Sequence, residues 1–235
     1  MSHAKLSPSA AARWRQCPAS PELESAYPDI PSKASKEGTL AHLLLESSLL
    51  VGLPPVEFMT TVSTKGPFQN VHDEMIRLIN DVYHAVIKLE GHLYIEKRVN
   101  PGRILGVGDD LCWGTADIIV TQPEHNKLIV ADLKFGRNPV HPSSDQLMLY
   151  ALGATALADY NIEQFELIIY QPRLHKGISH HLLAAEMNSF SRNIHQSVLA
   201  TQNNPQQIAG DHCFWCKAKP DCTAYQLEII KDSFN

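Results

Sequence analysis

The sequence predicts an α/β fold, a central mixed β-sheet flanked by helices, and three observations carry that prediction. Short β-branched apolar runs at His92–Val99 and at residues 116–120, 128–131 and 165–170 alternate with longer stretches of helical periodicity at 39–51, 70–90 and Ala184–Gln202. The resulting order is helix, helix, three strands, helix, one or two strands, helix, which suits a mixed sheet between helical layers. At 235 residues and 44% hydrophobic composition, the chain can bury a proper core. A single domain over 1–235 is expected, with 1–35 and 205–235 together forming a cysteine-bearing subregion.

Composition excludes some classes of function. No apolar run approaches the roughly 18 residues of a membrane span. The N-terminus lacks the basic-then-apolar pattern of a signal peptide. A soluble, cytoplasmic protein with no membrane partner is expected. The net charge of -5 argues against a broad polyanion-binding coat, so any nucleic acid must be met by local basic clusters. Candidates are Arg13 and Arg15, Lys33 and Lys36, Arg98 and Arg103, Arg137, and Arg173 and Lys176. Each is equally readable as solvated surface.

Residues 1–35, rich in Ser, Ala and Pro, read as an arm in which a short helix at 8–16 delivers Cys17 into a turn. Residues 39–51 follow as a helix capped by Gly38 or Thr39, with His42 and Glu46 four apart on one face. A Gly-Leu-Pro-Pro break and a loop through Pro67 lead to an amphipathic helix at 70–90, ended by Gly91. The strand His92–Val99 carries Glu96, either a third carboxylate for a site or a solvent-facing residue. A turn-rich loop at 101–110 precedes the central hairpin.

That hairpin, GTADIIVTQPEHNKLIVADLK at 114–134, holds the most chemistry. If Val120 pairs with Ile129, Asp117 falls opposite Asp132, and like charges at that spacing of about 5 Å repel. A divalent cation bound by both carboxylates relieves the repulsion. Asp132 and Lys134 share a strand face while Leu133 points away. An ammonium beside a cation is what metal-assisted hydrolysis needs, whereas two strand-end aspartates and a lysine are otherwise simply solvated.

Ser143 or Ser144 caps the next helix, from which Gln146 and Tyr150 project on one face near its positive end. A buried strand at 165–170, an edge-strand candidate at 177–183 and a polar helix, Ala184–Gln202, complete the core. Five cysteines without a secretory signal do not suggest a disulfide framework. Cys213, Cys216 and Cys222 offer three soft ligands at short spacing, and Cys17 is the natural fourth. Composition leaves iron–sulfur, zinc with four thiolates, and zinc with three thiolates and His212 open. Cys112 reads as a small buried hydrophobe.

In chain order, His42 within GTLAH, Gly114-x-x-Asp117, Asp132-x-Lys134 and Gln146-x-x-x-Tyr150 resemble the RecB-like branch of the PD-(D/E)XK nuclease superfamily. Cys17 with Cys213, Cys216 and Cys222 resembles its iron–sulfur subset, which includes the AddB nuclease domain and the CRISPR-associated exonucleases. The GT-x-AH and DLK-x-G segments look especially like a phage- and prophage-associated group of unknown function. The resemblance implies a restriction-endonuclease-like core whose N- and C-terminal segments join at a four-cysteine metal site, holding a 4Fe-4S cluster or, alternatively, Zn2+.

It further implies Asp117, Asp132 and Lys134 as the catalytic set. Mg2+ or Mn2+ would be held by His42, Asp117, Asp132 and the Leu133 carbonyl, with Glu96 as a tentative further ligand. Gln146 and Tyr150 would position DNA. The implied activity is that of a metal-dependent DNA exonuclease on single strands or DNA ends. Its setting would be phage recombination or replication in the host cytoplasm, alongside a single-strand-binding or recombination protein. The alternatives are a noncatalytic DNA-binding scaffold and a structure-specific endonuclease of the same fold.

Overall fold

The computed structural model describes residues 4–62, 66–174 and 177–232. Lys176, one of the basic candidates, lies outside the described residues. Along the chain come the helices α1 (Ala11–Gln16), α2 (Ser20–Ser25), α3 (Lys33–Val51), α4 (Pro55–Thr61) and α5 (Asp73–Val86). Then follow β1 (His92–Val99), a short α6 (Pro101–Ile104), β2 (Gly114–Gln122), β3 (Lys127–Leu133) and α7 (Asp145–Ala154). The chain continues with β4 (Gln164–Tyr170), β5 (Ile178–Leu183), α8 (Ala184–Gln202) and α9 (Thr223–Asp232).

The strands form one mixed sheet in the order β1-β2-β3-β4-β5. Neighbours are antiparallel except β3 and β4, which run parallel and are joined through α7. Such a parallel pair needs a crossover, commonly a helix. Alternation along the strands divides the apolar side chains between two faces. Ile119, Leu128, Val130, Leu167 and Ile169 face Trp14, α7 and α8. Ile118, Val120, Ile129, Ala131 and Leu133 face α3, α4 and α5. The result is a three-layer α/β/α arrangement whose central strands are apolar on both sides.

The hairpin register is the one supposed from the sequence, with Val120 paired to Ile129 and Ile118 to Ala131. Its connection turns at Asn126 in the left-handed conformation, at φ 49°. The Ser144 side chain caps α7 by accepting from the Leu147 amide. Edge strand β5 and helix α8 lie where the sequence places them. Cys112 is fully buried, and burial pushes its thiol up to about 12.

Four expectations are corrected. Helix α3 starts at Lys33 and is capped by Ser32, whose side chain accepts from the Ser35 amide, rather than by Gly38 or Thr39. Residues 33–36 are exposed, so this added length carries no apolar signal to read. The N-terminal segment is not a detached arm, because Leu6 and Trp14 are almost wholly buried in the core. Burying such a side chain stabilises by about 2 kcal/mol. Pro55 starts α4 in the segment read as loop, and Pro101 starts α6 in another. Proline suits a helix's first turn, where its missing N–H costs nothing.

Candidate active site

The end of β1, the start of β2 and the end of β3 meet at one end of the sheet, at the carboxyl ends of parallel β3 and β4. There the β2–β3 ladder stops at Ile118 and Ala131, one position short of Asp117 and Asp132. The Leu133 amide instead donates to Asp117 Oδ2 at 2.7 Å, so a carboxylate takes the place of a main-chain acceptor. This side-chain bond lets the arms part and leaves room for chemistry between them. Asp117 and Asp132 are both buried.

Helix α3 approaches with His42, whose Nδ1 lies 3.3 Å from Asp117 Oδ2. From the other side α7 brings Gln146 and Tyr150. Lys134 Nζ lies 2.8 Å from Asp132 Oδ2 and donates to Asp132 Oδ1 at 3.1 Å and Gln146 Oε1 at 3.0 Å. Gln146 Nε2 in turn donates to Asp132 Oδ1 at 3.2 Å and Tyr150 OH at 3.3 Å. Lys134 and Asp132 thus share a face as predicted, and α7 fixes both. Gly114 permits this closeness, since a Cβ there would sit 2.8 Å from Tyr150 Cε1.

Glu96 completes the cluster. It stands between Ile95, paired with Ile118, and Lys97, paired with Ala116, and so faces Asp117 across the sheet. Its φ of 46° is left-handed, a conformation that costs a non-glycine residue about 1–3 kcal/mol. One ligand atom each from His42, Glu96 and Asp117 lie within 4.8 Å of one another, and among the described residues this is the one such group.

Octahedral ligands about 2.1 Å from Mg2+ stand roughly 3 Å apart when adjacent and 4.2 Å when opposite, so small movements close these three on an ion. Asp132 is not in that trio, because Lys134 and Gln146 hold its oxygens. Asp132 Oδ2 is nonetheless buried without a directed hydrogen bond. Leu133 is buried and enters the site through its amide.

The electrostatics fit a cation. Burial and then the neighbouring Asp117 carboxylate push the Glu96 carboxyl up to about 7, with Glu46 and Asp132 adding to the effect. Burial also raises Asp132, against the pull of Lys134. Burial works against a charged His42, yet the adjacent Asp117 and the more distant Asp132 raise it to about 9. Protons here stand in for positive charge that the carboxylates require.

A family model described as a protein of unknown function matches residues 3–235. The chain belongs to the DUF2800 family. Within this DUF2800 chain, several basic residues offered by the sequence for nucleic acid are already engaged. Arg13 pairs with Glu24, Arg15 with Asp145, Arg103 with Asp109 and Arg173 with Glu37. Arg137 lines a cleft with His42 and Lys134, and Arg98 lines another with Glu96 and Tyr150.

Sequence reasoning missed Gln171, which is fully buried. It accepts from the Val140 amide at 3.2 Å and donates to the carbonyls of Gly136 and Asn138 at 2.9 and 2.7 Å. It thereby holds the loop after Lys134. Its only signal was a polar residue ending an apolar strand. Glu46 shared the His42 helix face in the sequence reading, but its influence on Glu96 was not foreseen.

The cysteine subregion is assembled in part. The termini are tied together, with the Ala19 amide donating to the Gln206 carbonyl, Ile208 N to Cys17 Sγ, and Lys217 N to Glu24 Oε1. Cys17, Cys213 and Cys222 are buried and Cys216 half-buried. A compact tetrahedral four-thiolate site is not formed, because among the described residues no three of these sulfurs come within 4.8 Å of one another. Tetrahedral zinc with Zn–S bonds of 2.3 Å holds its sulfurs about 3.8 Å apart. His212 is buried, and its Nε2 bonds to the Ile208 carbonyl at 2.9 Å.

Proposed function

We propose that this chain is a divalent-metal-dependent nuclease that hydrolyses phosphodiester bonds in DNA, with the PD-(D/E)XK resemblance pointing to single strands or free ends. The observation that carries the reading is the convergence of His42, Glu96 and Asp117 beside the Lys134–Asp132–Gln146 triad. His42, Glu96 and Asp117 would hold Mg2+ or Mn2+, with Asp132 and the Leu133 carbonyl next to them. Such an ion polarises a phosphoryl oxygen and makes a water nucleophilic near neutral pH.

The protein groups have separable roles. Lys134, held by Asp132 and Gln146, presents an ammonium whose geometry is set before substrate arrives, and it stabilises charge developing on the attacked phosphate. Asp132 keeps that ammonium in place. Gln146 and Tyr150, at the positive end of α7, orient the strand. Water attacks phosphorus, a P–O bond forms, the bond to one ester oxygen breaks, and that oxygen leaves as a hydroxyl once protonated.

Cys17, Cys213, Cys216 and Cys222 are proposed to hold an iron–sulfur cluster. A cuboidal cluster is larger than one zinc ion and keeps its cysteines further apart, which suits thiols on tied but separated segments. Anaerobic purification followed by iron, sulfide and zinc analysis tests this. Zinc without iron would overturn it.

For the nuclease reading, end-labelled single- and double-stranded DNA and closed circles are incubated with Mn2+. Shortening of labelled strands, abolished in Asp132→Ala and Lys134→Ala, is expected. Cleavage retained by both variants overturns the site. Cutting of closed circles makes the enzyme an endonuclease, and tight binding without turnover makes the chain a DNA-binding scaffold.

A further inference from the structure

We infer that Arg98 and Trp113 form a nucleotide platform beside the cleavage centre, one that takes an unstacked base and so selects single-stranded DNA. The inference rests on the nuclease reading and adds the residues that would select its single-stranded substrate. Arg98 Cζ lies 3.8 Å above the Trp113 ring centroid. Arg98 is an exposed residue of β1 paired in register with Thr115, the second residue of β2, so the platform stands on two hydrogen-bonded strands. Trp113 is half-exposed and immediately precedes Gly114.

Arg98 and Trp113 line a cleft of about 600 Å3 together with Glu96, Tyr150, Ser7 and Ser9. Glu96 and Tyr150 belong to the cleavage centre, so whatever fills the cleft is continuous with a phosphate at that centre. A second cleft, of about 520 Å3, is lined by His42, Lys134 and Arg137, so the centre borders two clefts that a strand could occupy.

Charge pairing distinguishes Arg98 from four of the other basic candidates. Arg13, Arg15, Arg103 and Arg173 are committed to carboxylates, whereas among the described residues Arg98 makes no ion pair. A guanidinium whose Cζ packs 3.8 Å from an indole centroid can offer N–H donors to phosphate oxygens and a planar surface on which a base stacks. A base within a duplex has both faces covered by its neighbours. The platform therefore favours a single strand or a frayed end, with Ser7, Ser9 and Thr115 hydroxyls near the backbone.

Binding is measured without turnover, with Ca2+ replacing Mn2+, using labelled oligothymidylate and an abasic strand of the same length. Trp113→Leu is expected to weaken oligothymidylate binding at least tenfold, the scale of losing one stacked base, and to leave abasic binding unchanged. Trp113→Phe retains a ring and is expected to stay close to wild type, which separates stacking from misfolding. With Mn2+, Trp113→Leu is expected to raise KM more than it lowers kcat. Equal weakening of both strands, or none, overturns the platform, and wild-type cleavage in the same preparation leaves the nuclease reading standing. Wild-type protein that neither binds nor cleaves either strand overturns both.

Discussion

Glu96 offers the sharpest test, because its backbone and its carboxylate make opposite demands. At φ 46° a side chain costs about 1–2 kcal/mol that glycine escapes. In an ordinary strand glycine is instead the worse residue, by roughly 0.5–1 kcal/mol relative to alanine. Glu96→Gly and Glu96→Ala both remove the carboxylate, so their difference isolates the backbone. The glycine variant is expected to be more stable than the alanine variant by about 1 kcal/mol, or roughly 2–4 °C in Tm for a chain of this size.

Removing a half-buried carboxylate set against Asp117 also lifts both variants above the metal-free wild type near pH 8. With Mn2+ the ranking reverses. An ion at a hundred times its Kd stabilises wild type by about 2.7 kcal/mol, and both variants lose most of that gain. Thermal melts of the three proteins, first in chelator and then in Mn2+, read both effects. If Glu96→Ala melts as high as Glu96→Gly, the left-handed backbone is not held in solution. If either variant gains as much from Mn2+ as wild type, Glu96 is not a ligand.

Other perturbations give distinct signatures. His42 and Glu96 have folded pKa values above their usual ones, at about 9 and about 7, so stability from their protons is complete at low pH and lost as pH rises. Chelated protein is therefore expected to lose Tm between about pH 4.5 and 9, and Mn2+ to bind more tightly across that range, by melts and calorimetry. Glu37 is the opposite case. Its hydrogen bonds from Arg173 lower it to about 2, so its contribution is present above about pH 4.5 and lost as pH falls through 2, and Arg173→Met should flatten that acid limb of the Tm profile. Gly114→Ala drives a Cβ against Tyr150 and should reduce cleavage far more than Tm. Gly153→Ala meets Pro101 Cδ at 2.8 Å and its nitrogen at 2.9 Å, and should destabilise by about 1–3 kcal/mol in denaturant melts.

How much could be read beforehand follows from what each signal depends on. The two hairpin arms were legible as β-branched apolar runs, but their register was only assumed, because apolar residues fill both faces of each arm and the pattern alone does not fix the pairing. Gln146 and Tyr150 were legible from helical spacing, and Asp132 with Lys134 from strand alternation. Helices α2, α4 and α9 were not, being too short or too exposed to show a clear apolar period. Ion pairs such as Arg15–Asp145 and Arg173–Glu37 join distant parts of the chain, so the basic clusters looked freer than they are. Cysteine spacing suggested a common site near the joined termini but could not show the separation of the sulfurs. Glu96 stood undecided because a twist at one φ angle, invisible in residue order, turns it into the site.

The bond from the Leu133 amide to Asp117 carries a lesson for comparing members of the family. Asp117 serves the sheet as well as the site, so a descendant that had abandoned catalysis would still be under pressure to keep it. Lys134 also serves the fold, because its ammonium compensates the buried Asp132 carboxylate, whereas Glu96, held at a left-handed φ beside Asp117, has no such second employment. On the proposed nuclease reading, drift after loss of activity should erase Glu96 early and Asp117 late. A relative's Asp117 would then report only that it folds, while its residue at 96 would report whether the metal site is kept.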